Sequence, residues 1–218
     1  MVIRNMILDP FIRYRAYFTA VKRKKYGRKK VIIRSKNGIF YLAKLSVSRD
    51  MKNVSGAGSR IRRNFVKTVN KYMKGDKWAY DKISDVYLRY VEDFIDMKNI
   101  SGKVLLVNVP TAKMDNINPI SQTISRICMY ADNENIELIN GSDLLLRDKP
   151  EEKVDLFDRY SVDELAKTIY ITKTLKAEKV ILLDSACLGP NTTKACEKVL
   201  KNVGVKEVHS LCLYMGCE

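Results

Sequence analysis

From Ser101 onward, continuous apolar runs alternate with segments whose apolar residues recur at helical spacing. KVLLVNV (Lys103 to Val109) is followed by a periodic stretch from Pro119 to Asn133, IELI (Ile136 to Ile139), a polar segment, TIYIT (Thr168 to Thr172), VILLD (Val180 to Asp184), a second periodic stretch from Thr192 to Asn202, and VHSLCLY (Val208 to Tyr214). Short unbroken apolar runs suit strands covered on both faces. Their alternation with helical periods predicts an α/β fold with a mostly parallel, doubly wound sheet. Open sheets of this kind bind ligands beyond the carboxyl ends of their strands, which directs attention to the turns after Val109 and Leu183.

The first hundred residues have another rhythm. In VIIRSKNGIFYLAKLSV (Val31 to Val47) two β-rich runs flank Asn37-Gly38, a strong hairpin signal. The Gly and Ser loop in VSGAGSRIRRNF (Val54 to Phe65) leads into helices predicted over Arg62 to Met73 and Asp81 to Met97. In the second helix Ile83, Val86, Tyr87, Tyr90, Val91 and Phe94 recur on one face, which assigns them to a core.

Charge divides the chain at the same place. Residues 1–100 hold 25 Lys and Arg against 8 Asp and Glu, whereas the remainder holds 15 against 17. The expectation is two domains: a small basic α+β module over 1–100 and an α/β domain over 101–218. Clustered cations displace condensed counterions from a phosphate backbone, so the module is a candidate nucleic-acid binder. Its candidate contacts are Arg13 and Arg15 in the aromatic-rich FIRYRAYF, and Lys22, Arg23, Lys24, Lys25, Arg28, Lys29 and Lys30 in VKRKKYGRKK. Arg60, Arg62 and Arg63 join them beside a loop whose amides can cradle phosphate. The loop lacks the Gly-Lys-Ser/Thr ending of a Walker motif. DNA and RNA are both open as partners, and so is a solvated basic surface without a ligand.

The five cysteines are odd in number, form no CxxC pair and lie mostly among apolar residues, which suits reduced core positions in a cytoplasmic protein. With His209 as the only histidine, a His-based zinc site or triad lacks material, and no metal-ligating residue is assigned. No run of eighteen apolar residues suggests a membrane span, and MVIRNMILDPFIRYR carries charges where a secretory signal has its apolar stretch.

Three stretches carry a resemblance: LLVNVPTAK with the Ser121-Gln122 helix after it, LLLRDKPEEKVDLFDRYSVDELAKTIYI, and KVILLDSACLGPNTTKACEKVLKNVGVKEV. Together, over about Ser101 to Tyr214, they resemble the type I phosphoribosyltransferases, nearest the ComF-like group associated with DNA uptake. In that family a strand ends in two acids that hold the ribose hydroxyls of phosphoribosyl pyrophosphate. Two apolar residues follow, and then a Thr-Thr-Gly-x-Thr turn surrounds the 5-phosphate.

Laid on that pattern, Asp184 takes the first acidic position, Thr192 keeps the final hydroxyl, and Gly204-Val205 falls where the family has Gly-Ala. Ser185 replaces the second acid, and Leu188-Gly189-Pro190 replaces Thr-Thr-Gly. The resemblance implies ribose and phosphate contacts at Asp184, Ser185, Gly189, Asn191, Thr192 and Thr193, and pyrophosphate contacts at Thr111 and Lys113. It also places Arg147, Lys149, Lys153 and Arg159 on a mobile loop that closes over the pyrophosphate. In an active transferase Asp184, Arg147 and Arg159 would be catalytic, with Mg2+ as cofactor.

The departures weaken this inheritance. A serine carries no charge to the ribose, and proline removes an amide donor from the phosphate turn. Two readings stay open: a protein that binds a phosphoribosyl or nucleotide ligand with weak or lost transferase activity, and an active phosphoribosyltransferase that releases or uses pyrophosphate. The plain role of Asn191 to Thr193 is a turn followed by a helix N-cap.

Overall fold

The computed structural model describes residues 33–46, 57–110, 118–131, 135–148, 160–175, 177–187 and 189–217, with backbone alone at 43–46, 57–63, 66 and 216–217. Strands β1 (Arg34–Lys36) and β2 (Ile39–Ser46) form the expected hairpin, antiparallel with Lys36 opposite Ile39. Asn37 and Gly38 both adopt positive φ, 54° and 79°, as the two central residues of a primed hairpin turn require. Helix α1 (Ala57–Met73) begins five residues before the expected Arg62, absorbing Gly58 and Ser59. Helix α2 (Lys77–Lys98) begins four residues before Asp81, because Asp76 caps it by accepting from the Ala79 amide at 2.9 Å.

The second half follows as β3 (Gly102–Asn108), α3 (Pro119–Tyr130), β4 (Ile136–Asn140), β5 (Leu145–Arg147), α4 (Val162–Lys167), β6 (Ile169–Ile171), β7 (Lys179–Cys187), α5 (Asn191–Asn202) and β8 (Glu207–Cys217). Six strands make one mixed, mostly parallel sheet in the order β1-β2-β8-β7-β3-β4. The run around Thr168 to Thr172 does not join it: β6 pairs antiparallel with β5 in a separate two-stranded ribbon. Strand β5 and α4 fall in what composition marks as a polar segment, where a three-residue strand gives no periodic signal.

Alternation along the central strands sorts the core into two faces. Val104, Leu106, Ile181, Leu183, Leu211 and Leu213 meet α1, α2 and α3 on one side. Leu105, Val107, Val180 and Leu182 meet α5, α4 and the ribbon on the other. The three helices of the first face are fastened by a buried hydroxyl chain, with Tyr72 Oη and Ser84 Oγ each 2.9 Å from Thr123 Oγ1. Arg126 of α3 also donates to Asp81 and Asp85 of α2 at 3.1 and 2.7 Å.

This packing does not divide at residue 100. Strand β2 runs parallel to β8 from Ile39↔Ser210 to Ser46↔Cys217, and Val69 to Ile100 share a core with strands β3, β7 and β8. The compact units separate between Val31 and Ile32, and every described residue belongs to the second. Lys67, Lys71, Lys77, Lys82, Arg89 and Lys98 of α1 and α2 are exposed, while the apolar faces of these helices are built into the same core as the parallel sheet. Cys187, Cys196 and Cys212 are buried and Cys128 is half-buried, as their apolar neighbourhoods suggest. Among the described residues no helix is long and apolar enough to cross a membrane.

Candidate ligand site

The direction of chain progression across the sheet reverses between β3 and β7. From β3 the chain passes through α3 to β4 on one side; from β7 it passes through α5 to β8 on the other. The connections therefore diverge and leave a crevice beyond the carboxyl ends of β3 and β7, where open parallel sheets hold ligands. The two ends are tied together where the Val109 amide donates to the Leu183 carbonyl at 2.9 Å.

Asp184 was expected at the end of its strand, but β7 continues for three further residues. Ala186 and Cys187 stay in ladder register with Tyr214 and Met215 of the long strand β8, so the chain leaves the sheet only after Cys187. Asp184 is half-buried opposite Cys212, and its Oδ1 accepts from the Ala186 amide at 3.3 Å. The fully buried Tyr87 of α2 donates its hydroxyl to the Asp184 carbonyl at 2.6 Å, which holds this part of β7 against the first face. Removal from water pushes the Asp184 carboxyl up to about 6, opposed by backbone amides of Ala186 and Ser185.

Ser185 is buried, and β7 loses its regular alternation around it: Ala186 packs with the cluster that holds Leu183, whereas Cys187 packs with Cys212 and Met215. Arg147 lies in strand β5, paired with Ile169, rather than on a mobile loop. It is half-buried, and its Nε is enclosed without a hydrogen-bond partner. Cys196 of α5 senses both charges. Burial pushes its thiol up to about 12, Asp184 adds to the rise, and Arg147 opposes it. Asp184 and Arg147 are thus both within electrostatic reach of Cys196.

The turn itself is closed by the Cys187 thiol donating to the Gly189 carbonyl at 3.4 Å. Helix α5 starts at Asn191 with Pro190 in the N-cap position and no side-chain cap. The expected capping role is absent: Asn191 Nδ2 donates instead to the Tyr160 carbonyl at 3.0 Å, linking the helix start to the residue before the α4 capping box. The first-turn amides of α5 have no side-chain cap, and half-buried Thr192 and buried Thr193 lie in the same turn.

Sequence reasoning missed Asn108. It closes the apolar strand β3 at 6% exposure, and its Oδ1 has no partner. A polar residue ending KVLLVN was the available signal. Thr111, Lys113, Lys149, Lys153 and Arg159 lie outside the described residues, as do Arg13, Arg15, Lys22, Arg23, Lys24, Lys25, Arg28, Lys29 and Lys30. Arg60, Arg62 and Arg63 fall within α1.

A scan against models of protein families finds no match to this chain, and no curated protein matches it.

Proposed function

We propose that the protein is a phosphoribosyltransferase-like, doubly wound α/β protein that binds a phosphoribosyl or nucleotide ligand in the crevice between β3 and β7, and that its basic N-terminal half holds nucleic acid. The observation that carries the ligand reading is that Asp184 and Arg147 both act on Cys196 of α5, the helix that follows β7. An enclosed carboxyl at Asp184 suits ribose hydroxyls, the guanidinium of Arg147 has an unmatched Nε, and the uncapped start of α5 favours a phosphate through its amides and dipole. Ser185 offers a hydroxyl and no charge where the family has a second acid, so binding is weaker than that pair would give.

The alternative reading, an active transferase, draws on Arg147. A nitrogen nucleophile would attack C1 of the ribose while the C1–O bond breaks and its electron pair leaves with pyrophosphate. A fixed cation near that oxygen stabilises the developing charge. Magnesium fits this site through Asp184 alone. Among the described residues no three His, Cys, Asp or Glu side chains gather, so the ion would take its other oxygens from ligand and water.

Rebuilding the phosphate turn tests the ligand reading. Leu188→Thr, Gly189→Thr and Pro190→Gly together restore hydroxyls and an amide, while Ser185 is kept because it is buried and a carboxylate there would be taken out of water. A hydrogen bond to a charged group is worth about 1.5–3 kcal/mol, so phosphoribosyl pyrophosphate should bind at least about tenfold more tightly to the rebuilt chain. Unchanged affinity in a folded variant would remove this turn from the site.

A further inference from the structure

We infer that the tip of the α1–α2 hairpin is a stacking platform for single-stranded nucleic acid, centred on Trp78. The inference deepens the nucleic-acid half of the reading above and rests on it, but it names a different surface from the basic run at Lys22 to Lys30. Trp78 is 59% exposed in the first turn of α2, immediately after the tight turn Lys74-Gly75-Asp76. Lys67, Lys71, Lys74, Lys77 and Lys82 around it are all exposed.

Among the described residues these five lysines form no ion pair, because the nearby acids are engaged elsewhere. Asp76 caps α2, and Asp81 and Asp85 hold Arg126. Helical spacing continues the stripe: Arg60, Arg63, Lys67 and Lys71 fall on one side of α1, opposite buried Val69 and Tyr72. An indole among unpaired cations matches a single strand, whose bases stack on the ring while its phosphates meet the lysines.

Two other occupants fit less well. The apolar faces of both helices are used in the core, which leaves a single exposed ring where a membrane surface would need a broad apolar face. A duplex keeps its bases stacked inside and offers the ring no partner.

Trp78 is the chain's only tryptophan, so its emission reports on this surface alone. The full chain is titrated with oligothymidylate, oligouridylate, a DNA duplex of equal length, and vesicles of phosphatidylserine and phosphatidylcholine. Binding of labelled oligonucleotides is followed in parallel by anisotropy. Either single strand should quench the emission saturably. Trp78→Ala should weaken binding at least about fivefold, Trp78→Phe should retain most of it, and each lysine changed to Gln should lower the salt slope by about 0.7.

If single strands bind with Trp78 emission unchanged and Trp78→Ala binds like the parent, the hairpin is not the platform, although the nucleic-acid reading stands. Equal quenching by duplex, or a blue shift with vesicles and none with strands, likewise overturns the inference. Absence of binding to every nucleic acid at low salt removes the broader reading with it.

Discussion

Phe94→Ala should destabilise the whole unit from Ile32 to Glu218 by about 3–5 kcal/mol, in one cooperative transition. Phe94 is fully buried in α2, and its ring meets Phe40 of β2 edge-on at 4.8 Å and His209 of β8 at 5.1 Å. Three elements from both sides of residue 100 lose contacts when the ring is removed, and a cavity of this size does not collapse without moving the sheet. Urea unfolding followed by far-ultraviolet circular dichroism and by Trp78 emission reports the transition from two places. Coincident curves shifted together are expected. A variant in which Trp78 reports early unfolding while the sheet keeps its parental midpoint would restore a domain boundary at residue 100.

The second large effect is a gain. Asp184→Asn should make the protein more stable than its parent by about 2–3 kcal/mol at pH 7.5, with the difference vanishing near pH 4. Burial raises the Asp184 value from 3.8 to about 6, so the native chain holds this proton more tightly than the unfolded chain does. Its stabilising contribution is therefore complete below about pH 4 and is lost as pH rises through about 6. Asparagine has nothing to ionise and keeps an oxygen for the Ala186 amide, so it escapes that loss. Thermal midpoints of parent and variant across pH 4 to 8 measure the divergence. A difference independent of pH would show that the carboxyl is not held in a water-poor site. A stabilising loss of a charged group from within β7 is what a binding site predicts, because the charge is kept for a ligand rather than for the fold.

Much of the architecture was legible locally. Asn37-Gly38 announces the hairpin, and the unbroken apolar runs of β3, β7 and β8 announce a sheet covered on both faces. What could not be read is non-local. The parallel pairing of β2 with β8 joins residues more than a hundred and fifty positions apart, and no local pattern specifies it. The charge count assigned α1 and α2 to a separate module because cations lie on the surface, whereas Tyr72, Tyr87 and Phe94, which decide packing, lie within. At the site, Asp184 was legible from its place after VILLD, but the burial of Ser185 depended on the strand running on to Cys187. Arg147 was expected on a loop since a three-residue strand in a polar segment leaves no periodicity to detect. Asn108 became visible as a candidate only once its oxygen was found buried without a partner.

Calorimetric titration of the full chain with phosphoribosyl pyrophosphate and magnesium, beside Asp184→Asn and Arg147→Gln, tests the crevice between β3 and β7 most directly. The account predicts saturable heat at a single site in the parent, with affinity reduced at least about tenfold by either substitution, each of which removes a charge-assisted contact. No heat from the parent at millimolar ligand, or equal binding by parent and both variants, would contradict it.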